Sequence, residues 1–334
     1  MRRKRNGGVI FLLMILFTMI GFVIGMIVIH EVDTKNEKAK IDALKAELNE
    51  AKIESEKPIN VYFPKRNIVS GEVPRNSYIQ ENFVIEDGFM AYYDENGEKI
   101  SHVGIDLSYH NDKVDWEKLA ASPVEFVMLR CGYRGYTEGG LIEDEKFKEY
   151  AEKANEYGLK LGIYFFTQAI TEEEAISEAN YVIKLIEDYD ISYPVALDTE
   201  LVNDEETRFN KADLDREELT NICIAFLERI KEAGYYPMIY ASENWFRRKL
   251  DVTMLTEYDF WAPQFLDEND FLYDFTIWQY SETGNAPGVE GDCDLDISMV
   301  DYASFVPSLR DAIRTGGEIG EYEEETPSVS IMIQ

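Results

Sequence analysis

Hydrophobic and polar positions along the chain fall into three regimes. An unbroken apolar run near the start gives way to a short stretch with helical spacing. A long region then follows in which β-prone runs alternate with helical patterns. The first regime is Val9–Ile29, "VIFLLMILFTMIGFVIGMIVI", which holds no charged residue. At 1.5 Å rise per residue, about 20 apolar residues cross a bilayer core of about 30 Å, so residues 9–29 are predicted to form a transmembrane helix. Arg2, Arg3, Lys4 and Arg5 mark residues 1–8 as a cytoplasmic basic segment. A cleaved signal peptide would show an apolar stretch of about 7–15 residues and a small-residue cleavage site. This run is longer and ends "IVIHEVDTK". The expectation is therefore an uncleaved, single-pass anchor in the cell membrane, with the rest of the chain extracellular.

The second regime, residues 30–57, carries Ile41, Leu44, Leu48 and Ala51 at alternating steps of three and four with charges between them. That spacing predicts a helical stalk. Its seam is only about two heptads long. A solvated single helix and a short coiled coil giving a weak dimer through the stalk both fit. Pro58 ends the pattern, and residues 58–100 read as a linker with a small β-hairpin turning at Asn96-Gly97. At the other end, residues 311–334 form an acidic stretch expected to be a disordered tail.

The third regime spans residues 101–310. Its strand candidates are "VGIDLS", "EFVMLRCG", "KLGIYFF", "YPVALDTE", "YPMIYAS", "DFWAPQF", "FTIWQY" and "CDLDIS". Helical patterns such as "TEEEAISEANYVIKLIEDY" and "DREELTNICIAFLERIKEAG" lie between the earlier ones, with acids at their starts and Gly158 and Gly234 at stops. The last three strands leave no room for full helices. The pattern predicts an α/β fold, an irregular (β/α) barrel of TIM type with a helix-poor second half. An open doubly wound sheet is the competing arrangement.

Composition narrows the function. With 65 acidic against 33 basic residues the net charge is -32, a field that repels nucleic acid. Three scattered cysteines, Cys131, Cys223 and Cys293, form neither a disulfide framework nor a zinc motif. Three histidines cannot build an HExxH site. "DCDLDISMVDYA" starts like a calcium loop but has Ile297 where Gly is needed and Ala303 where a bidentate Glu is needed. No metal and no cofactor are expected.

Carboxylates remain as candidate chemistry. In a barrel the functional face is the C-terminal end of the strands, where Asp106 and the pair Asp198 and Glu200 fall; Asp294 stands at the start of the last strand. Residues two apart on a strand share a face, so Asp198 and Glu200 are mounted together. Neighbouring carboxylates raise one another's proton affinity, which lets one act as an acid while the other stays anionic. A single Asp here would more commonly be a cap or a surface charge. Aromatic residues at the same strand ends, Tyr133, Tyr136, Tyr164, Tyr240, Trp245, Trp261 and Trp278, could pack the core or stack on sugar rings, and Gln264 lies in the sixth strand run.

Five motifs, "GIDLSYHNDKVDW", "GIYFF", "YPVALDTE", "GYYPMIYAS" and "IWQYSETGNAPGVEGDCDLD", occur in an order that resembles glycoside hydrolase family 25, the lysozyme-type N-acetylmuramidases, over His102 to Phe305. The resemblance implies a barrel of five β/α units and three further strands. It also implies metal-free hydrolysis of the β-1,4 bond between N-acetylmuramic acid and N-acetylglucosamine in peptidoglycan. By the same resemblance Glu200 is the general acid, and Asp198 stabilises the positive centre and orients the substrate acetamido group as internal nucleophile. Asp106 and Asp294 hold and tune the pair, while Tyr164, Tyr240 and Trp278, with Tyr133 and Gln264, bind substrate. Asp296 departs from the Asn usual in the last motif, and Asn111-Asp112 from a Gln-Gly pair. A catalytically inactive wall-binding scaffold and a chitinase-like hydrolase are the alternatives.

Overall fold

The computed structural model describes residues 73–310 apart from 201, 203–205, 267 and 308–309. The anchor, stalk and acidic tail expected at 9–29, 30–57 and 311–334 lie outside the described residues. Among the described residues no helix is long and apolar enough to cross a membrane.

Each of the strand candidates forms. In chain order they are β3 (His102–Leu107), β4 (Phe126–Arg134), β6 (Lys160–Phe166), β7 (Val195–Asp198), β8 (Pro237–Tyr240), β9 (Asp259–Pro263), β10 (Ile277–Gly284) and β11 (Cys293–Ser298). β3 pairs in parallel with β4 and antiparallel with β11, which closes these eight strands into a barrel and excludes the open sheet. β11 is also antiparallel to β10, whereas every other neighbouring pair around the barrel is parallel. A short extra strand, β5 (Leu141–Glu143), lies antiparallel on the end of β4.

Among the described residues, the helices that flank the barrel follow its first five strands. They are α1 (Trp116–Ala120), α2 (Phe147–Glu156), α3 (Glu172–Ile186), α4 (Arg208–Ala212) with α5 (Arg216–Glu232), and α6 (Glu243–Arg248). Their ends obey the expected chemistry. The Thr171 side chain accepts the Glu174 N–H ahead of α3, and Asp215 and Glu218 form a reciprocal capping box on α5. Gly158 and Gly234 end α2 and α5 at φ +73° and +87°, a conformation most side chains resist.

Strand alternation divides the apolar residues into two cores. Ile105, Val127, Leu129, Ile163, Phe165 and Leu197 face outward onto the helices. Phe126, Met128, Tyr193, Tyr236, Met238, Trp261 and Ile277 fill the barrel. A 3-10 turn at Tyr302–Ser304 plugs its N-terminal mouth. The Tyr302 hydroxyl lies 2.5 Å from Asp259 Oδ2 and 2.7 Å from Thr276 Oγ1, and Tyr236 donates to the same Asp259 oxygen at 3.0 Å.

The outer face of β10 lacks a helix and is covered from the N-terminal side. β1 (Phe83–Glu86) and β2 (Phe89–Tyr92) form a hairpin turning at Asp87-Gly88, both at positive φ. Phe83 meets Trp278 edge-on at 5.1 Å, and Tyr78 packs on Phe275 at 4.9 Å. The Met90 N–H donates to the Tyr280 hydroxyl at 3.1 Å. Thus the described part of the expected linker is packed structure. The Asn96-Gly97 turn also forms, closing a single bridge between Tyr93 and Lys99. Trp278 is fully buried beneath the hairpin, so Trp278→Ala should lower unfolding stability by about 3–5 kcal/mol. Denaturant midpoints check this; a change typical of an exposed residue would show that the hairpin does not cover it.

Candidate active site

The C-terminal ends of the barrel strands surround a cleft of about 730 Å³. Asp106, Asp198, Glu200 and Asp294, which come from three distant parts of the chain, all line it. The reversal of β11 explains why Asp294 sits at the start of its strand: in the antiparallel register it is the direct partner of Asp106. Asp198 is the last residue of β7. Thr199 next to it points the other way, its hydroxyl accepting the Trp245 Nε1–H at 3.1 Å and its N–H bonded to the Tyr240 carbonyl at 3.0 Å. That anchorage returns Glu200 to the cleft side beside Asp198, as the strand period requires.

Donors hold the carboxyls in place. Gln279 on β10 donates from Nε2 to Asp106 Oδ2 at 2.7 Å and accepts the Tyr240 hydroxyl at 2.9 Å. Trp261 on β9 donates to Asp296 Oδ1 at 2.8 Å. Arg130 on β4 is the one Lys or Arg among the described residues that line the cleft. Its Nε donates to the buried Asp144 at 2.8 Å, and its guanidinium lies 4.8 Å from the Tyr109 ring and 5.5 Å from the Tyr133 ring.

With so little positive charge, burial decides the proton affinities. Burial and the neighbouring Glu200 push Asp198 well above the usual carboxylate range. Burial also raises Glu200, which lines the same cleft beside Asp198. The pair therefore keeps a proton at a pH where free carboxylates have lost theirs. Asp106 is raised by burial and by Asp296, while burial and Asp106 bring Asp294 to about 8. Asp198 Oδ1 is buried, faces no donor among the described residues, and so keeps an acceptor oxygen unused. The arrangement can deliver one proton and stabilise one cation at adjacent points of an aromatic-walled cleft.

Of the expected substrate-binding residues, Tyr133, Tyr164 and Tyr240 line the cleft. Two do not. Trp278 faces outward under the hairpin, and its Nε1 donates to the Gln264 carbonyl at 2.8 Å. The Gln264 side chain turns away to the Phe271 N–H at 3.1 Å and to Asp270. The physical reason is alternation on β10: Ile277 and Gln279 point in, so Trp278 must point out. The same parity marks Gln279 as the inward residue of "IWQY". Among residues not singled out in the sequence, Tyr109, Arg130 and Gln279 line the cleft; Asp296, marked in the sequence only as a departure from the usual Asn, is buried outside the cleft lining.

Raised carboxylate affinity has a cost in stability. Native Asp294 holds its proton up to about pH 8, whereas the unfolded chain releases it near 3.8. Between those values the native state binds more protons, so stability falls as pH rises. Asp294→Asn should therefore unfold at higher temperature than wild type at pH 8, by on the order of 2 kcal/mol after solvent screening. The gap should close toward pH 4, as melting curves across that range will read; a gap independent of pH would contradict the assignment.

Against known proteins, a family model for glycosyl hydrolases family 25 matches residues 105–289. The autolytic lysozyme of Clostridium acetobutylicum is 23% identical over 194 residues, covering 58% of this chain and 54% of that protein. The uncharacterized protein YegX of Escherichia coli is 23% identical over 216 residues, covering 62% of this chain and 74% of its own. Among solved structures, the modular autolysin LytC from Streptococcus pneumoniae matches with a TM-score of 0.52 at 25% identity, covering 65% of this chain and 52% of LytC. LytC has also been solved in complex with a synthetic peptidoglycan ligand. The chain spans about half the length of LytC and of the autolytic lysozyme. With more than half of its length matched by the family model and its four expected acids gathered in one cleft, the chain belongs to glycosyl hydrolases family 25, the lysozyme-type glycoside hydrolases.

Proposed function

We propose that this protein hydrolyses peptidoglycan at the β-1,4 bond between N-acetylmuramic acid and N-acetylglucosamine. The observation that carries the proposal is the Asp198–Glu200 pair: two neighbouring carboxyls at one strand end, both of raised proton affinity, open to a cleft walled by Tyr133, Tyr136, Tyr164 and Tyr240. Glu200 is the less enclosed of the two and donates its proton to the glycosidic oxygen as the bond to the anomeric carbon breaks. The proton held by the pair passes to Glu200 when substrate binds, which leaves Asp198 anionic. Its unused Oδ1 is suited to accept the N–H of the substrate acetamido group, whose carbonyl oxygen attacks the anomeric carbon. Water then opens the resulting ring and returns a proton to Glu200, so the product keeps its anomeric configuration.

The chain's first part gives the enzyme its place. Val9–Ile29 anchors it in the cell membrane with Arg2 to Arg5 inside. The barrel then lies on the outer side of the membrane, where the wall is. Protease added to intact cells should therefore remove the barrel while leaving the residues before Val9 protected; protection of the barrel would reverse the orientation.

Glu200→Gln should lower kcat by about 10³-fold with KM changed no more than a few-fold, since the general acid acts in the transition state. Muropeptides from wild-type digests should end in reducing muramic acid with retained configuration. Reducing glucosamine ends would replace the muramidase assignment by a glucosaminidase one. Absence of any hydrolysis would leave a binding protein.

A further inference from the structure

Asp296 lies one layer below the cleft, has no solvent exposure and does not line it. On β11 it sits between Gln279 of β10 and Gly104 of β3 in the cross-strand register. A Cβ on Gly104 would meet the Phe126 ring at 2.1 Å, so that side of Asp296 holds no side chain of its own. The two Asp296 oxygens differ. Oδ1 accepts the Trp261 N–H at 2.8 Å, whereas Oδ2 is buried and meets no N–H or hydroxyl donor. What lies beside it is another carboxyl: Asp106 stands two residues beyond Gly104 on the same face of β3, and each of the two buried side chains acts on the proton affinity of the other. Asp106 accepts the Gln279 amide at 2.7 Å and stands directly opposite Asp294 in the register.

Two carboxylates cannot hydrogen-bond without a proton between them, and two like charges in contact out of water cannot both persist. Among the described residues no cation contacts them. The Arg130 guanidinium is held by Asp144 and flanked by Tyr109 and Tyr133. The titratable groups facing the two carboxyls from the surrounding strands are Asp294 on β11, Asp198 on β7, Tyr164 on β6 and Tyr240 on β8; Tyr280 and Glu282 lie farther along β10. All of these are acids, and none can supply positive charge.

We infer that Asp106 and Asp296 share a single proton, and that Asp296, beyond reach of any substrate, is a positioning residue that fixes Asp106 beneath the cleft. The proton gives Oδ2 its partner and leaves the pair with one negative charge. The chain Tyr240–Gln279–Asp106–Asp296–Trp261 then runs as an unbroken hydrogen-bonded arc across the barrel from β8 through β10, β3 and β11 to β9. Burial of both groups raises their proton affinity in the direction this requires.

The proton count can be read without turnover. Infrared difference spectra of the protein carrying carbon-13 at its aspartate carboxyls should show, for wild type minus Asp296→Asn at neutral pH, loss of one protonated carboxyl band and no loss of carboxylate. Loss of a carboxylate band instead would mean that both groups are ionised and would overturn the inference. Asp106→Asn should give the same difference and serves if the first variant fails to fold. The positioning role rests on the hydrolase function proposed above. Asp296→Leu should lower kcat by about 100-fold through misplaced Asp106, with KM near the wild-type value. Asp296→Asn, which restores a donor to Asp106 and an acceptor for Trp261, should recover kcat to within about 5-fold of wild type. Equal losses in both variants would overturn the role. A wild type that fails to cut peptidoglycan while the infrared difference holds would refute the proposed function and leave the shared proton standing.

Discussion

The site depends on one strand that runs the wrong way. In a barrel of parallel strands only C-terminal ends reach the functional face, and each contributes the last residues before a loop. β11 enters reversed between β3 and β10. Its first residues therefore arrive where the other strands finish. Asp294 lands opposite Asp106, and Asp296 is carried one layer into the barrel. Direct partners in an antiparallel pair stand about 4.5–5.5 Å apart, and like charges there repel. Burial is the first cause of the raised proton affinities of Asp106 and Asp294. The reversed strand adds to it by setting Asp106 beside Asp294 and Asp296, with Gln279 donating to Asp106 and Trp261 to Asp296.

The reversed strand also shapes the outside. A parallel crossover needs a helix, whereas β10 and β11 are joined by a loop, so no helix covers β10. Trp278, Phe275 and Tyr280 would face water there. The hairpin of β1 and β2 covers them with Phe83 and Tyr78 and a backbone bond from Met90. The aromatic residues that make "FTIWQY" look like a sugar-binding strand thus divide by face, with Trp278 and Tyr280 serving the outer core and Gln279 the cleft.

Much of this was legible in the sequence because period and punctuation were strong. The β-prone runs, the capping residues Thr171 and Asp215, and the stops at Gly158 and Gly234 each followed from local chemistry. The D-x-E pair was legible for the same reason, since two residues on one strand must share a face. What failed was the choice between faces. Whether Trp278 or Gln279 points inward depends on register, and register is set by partners far away in sequence. β5, at three residues, was too short to leave a pattern, and the hairpin turn at Asp87-Gly88 was passed over for Asn96-Gly97. Arg130 carried no motif; its place in the cleft wall comes from Asp144 and two tyrosine rings that only the fold brings together.

Closure of the barrel by its last strand against its first sets the order in which the protein can assemble. The β3–β11 ladder joins His102 to Ser298, and the plug beneath it waits for Tyr302. Contacts so remote in sequence are slow to form, because most of the chain must be ordered before they repay the loop they close. On the ribosome the helices between β4 and β8 can pack early. The carboxyl cluster has no existence until nearly the whole domain has emerged, so a chain stalled before β11 would carry Asp198 and Glu200 on a finished strand and still lack a working floor.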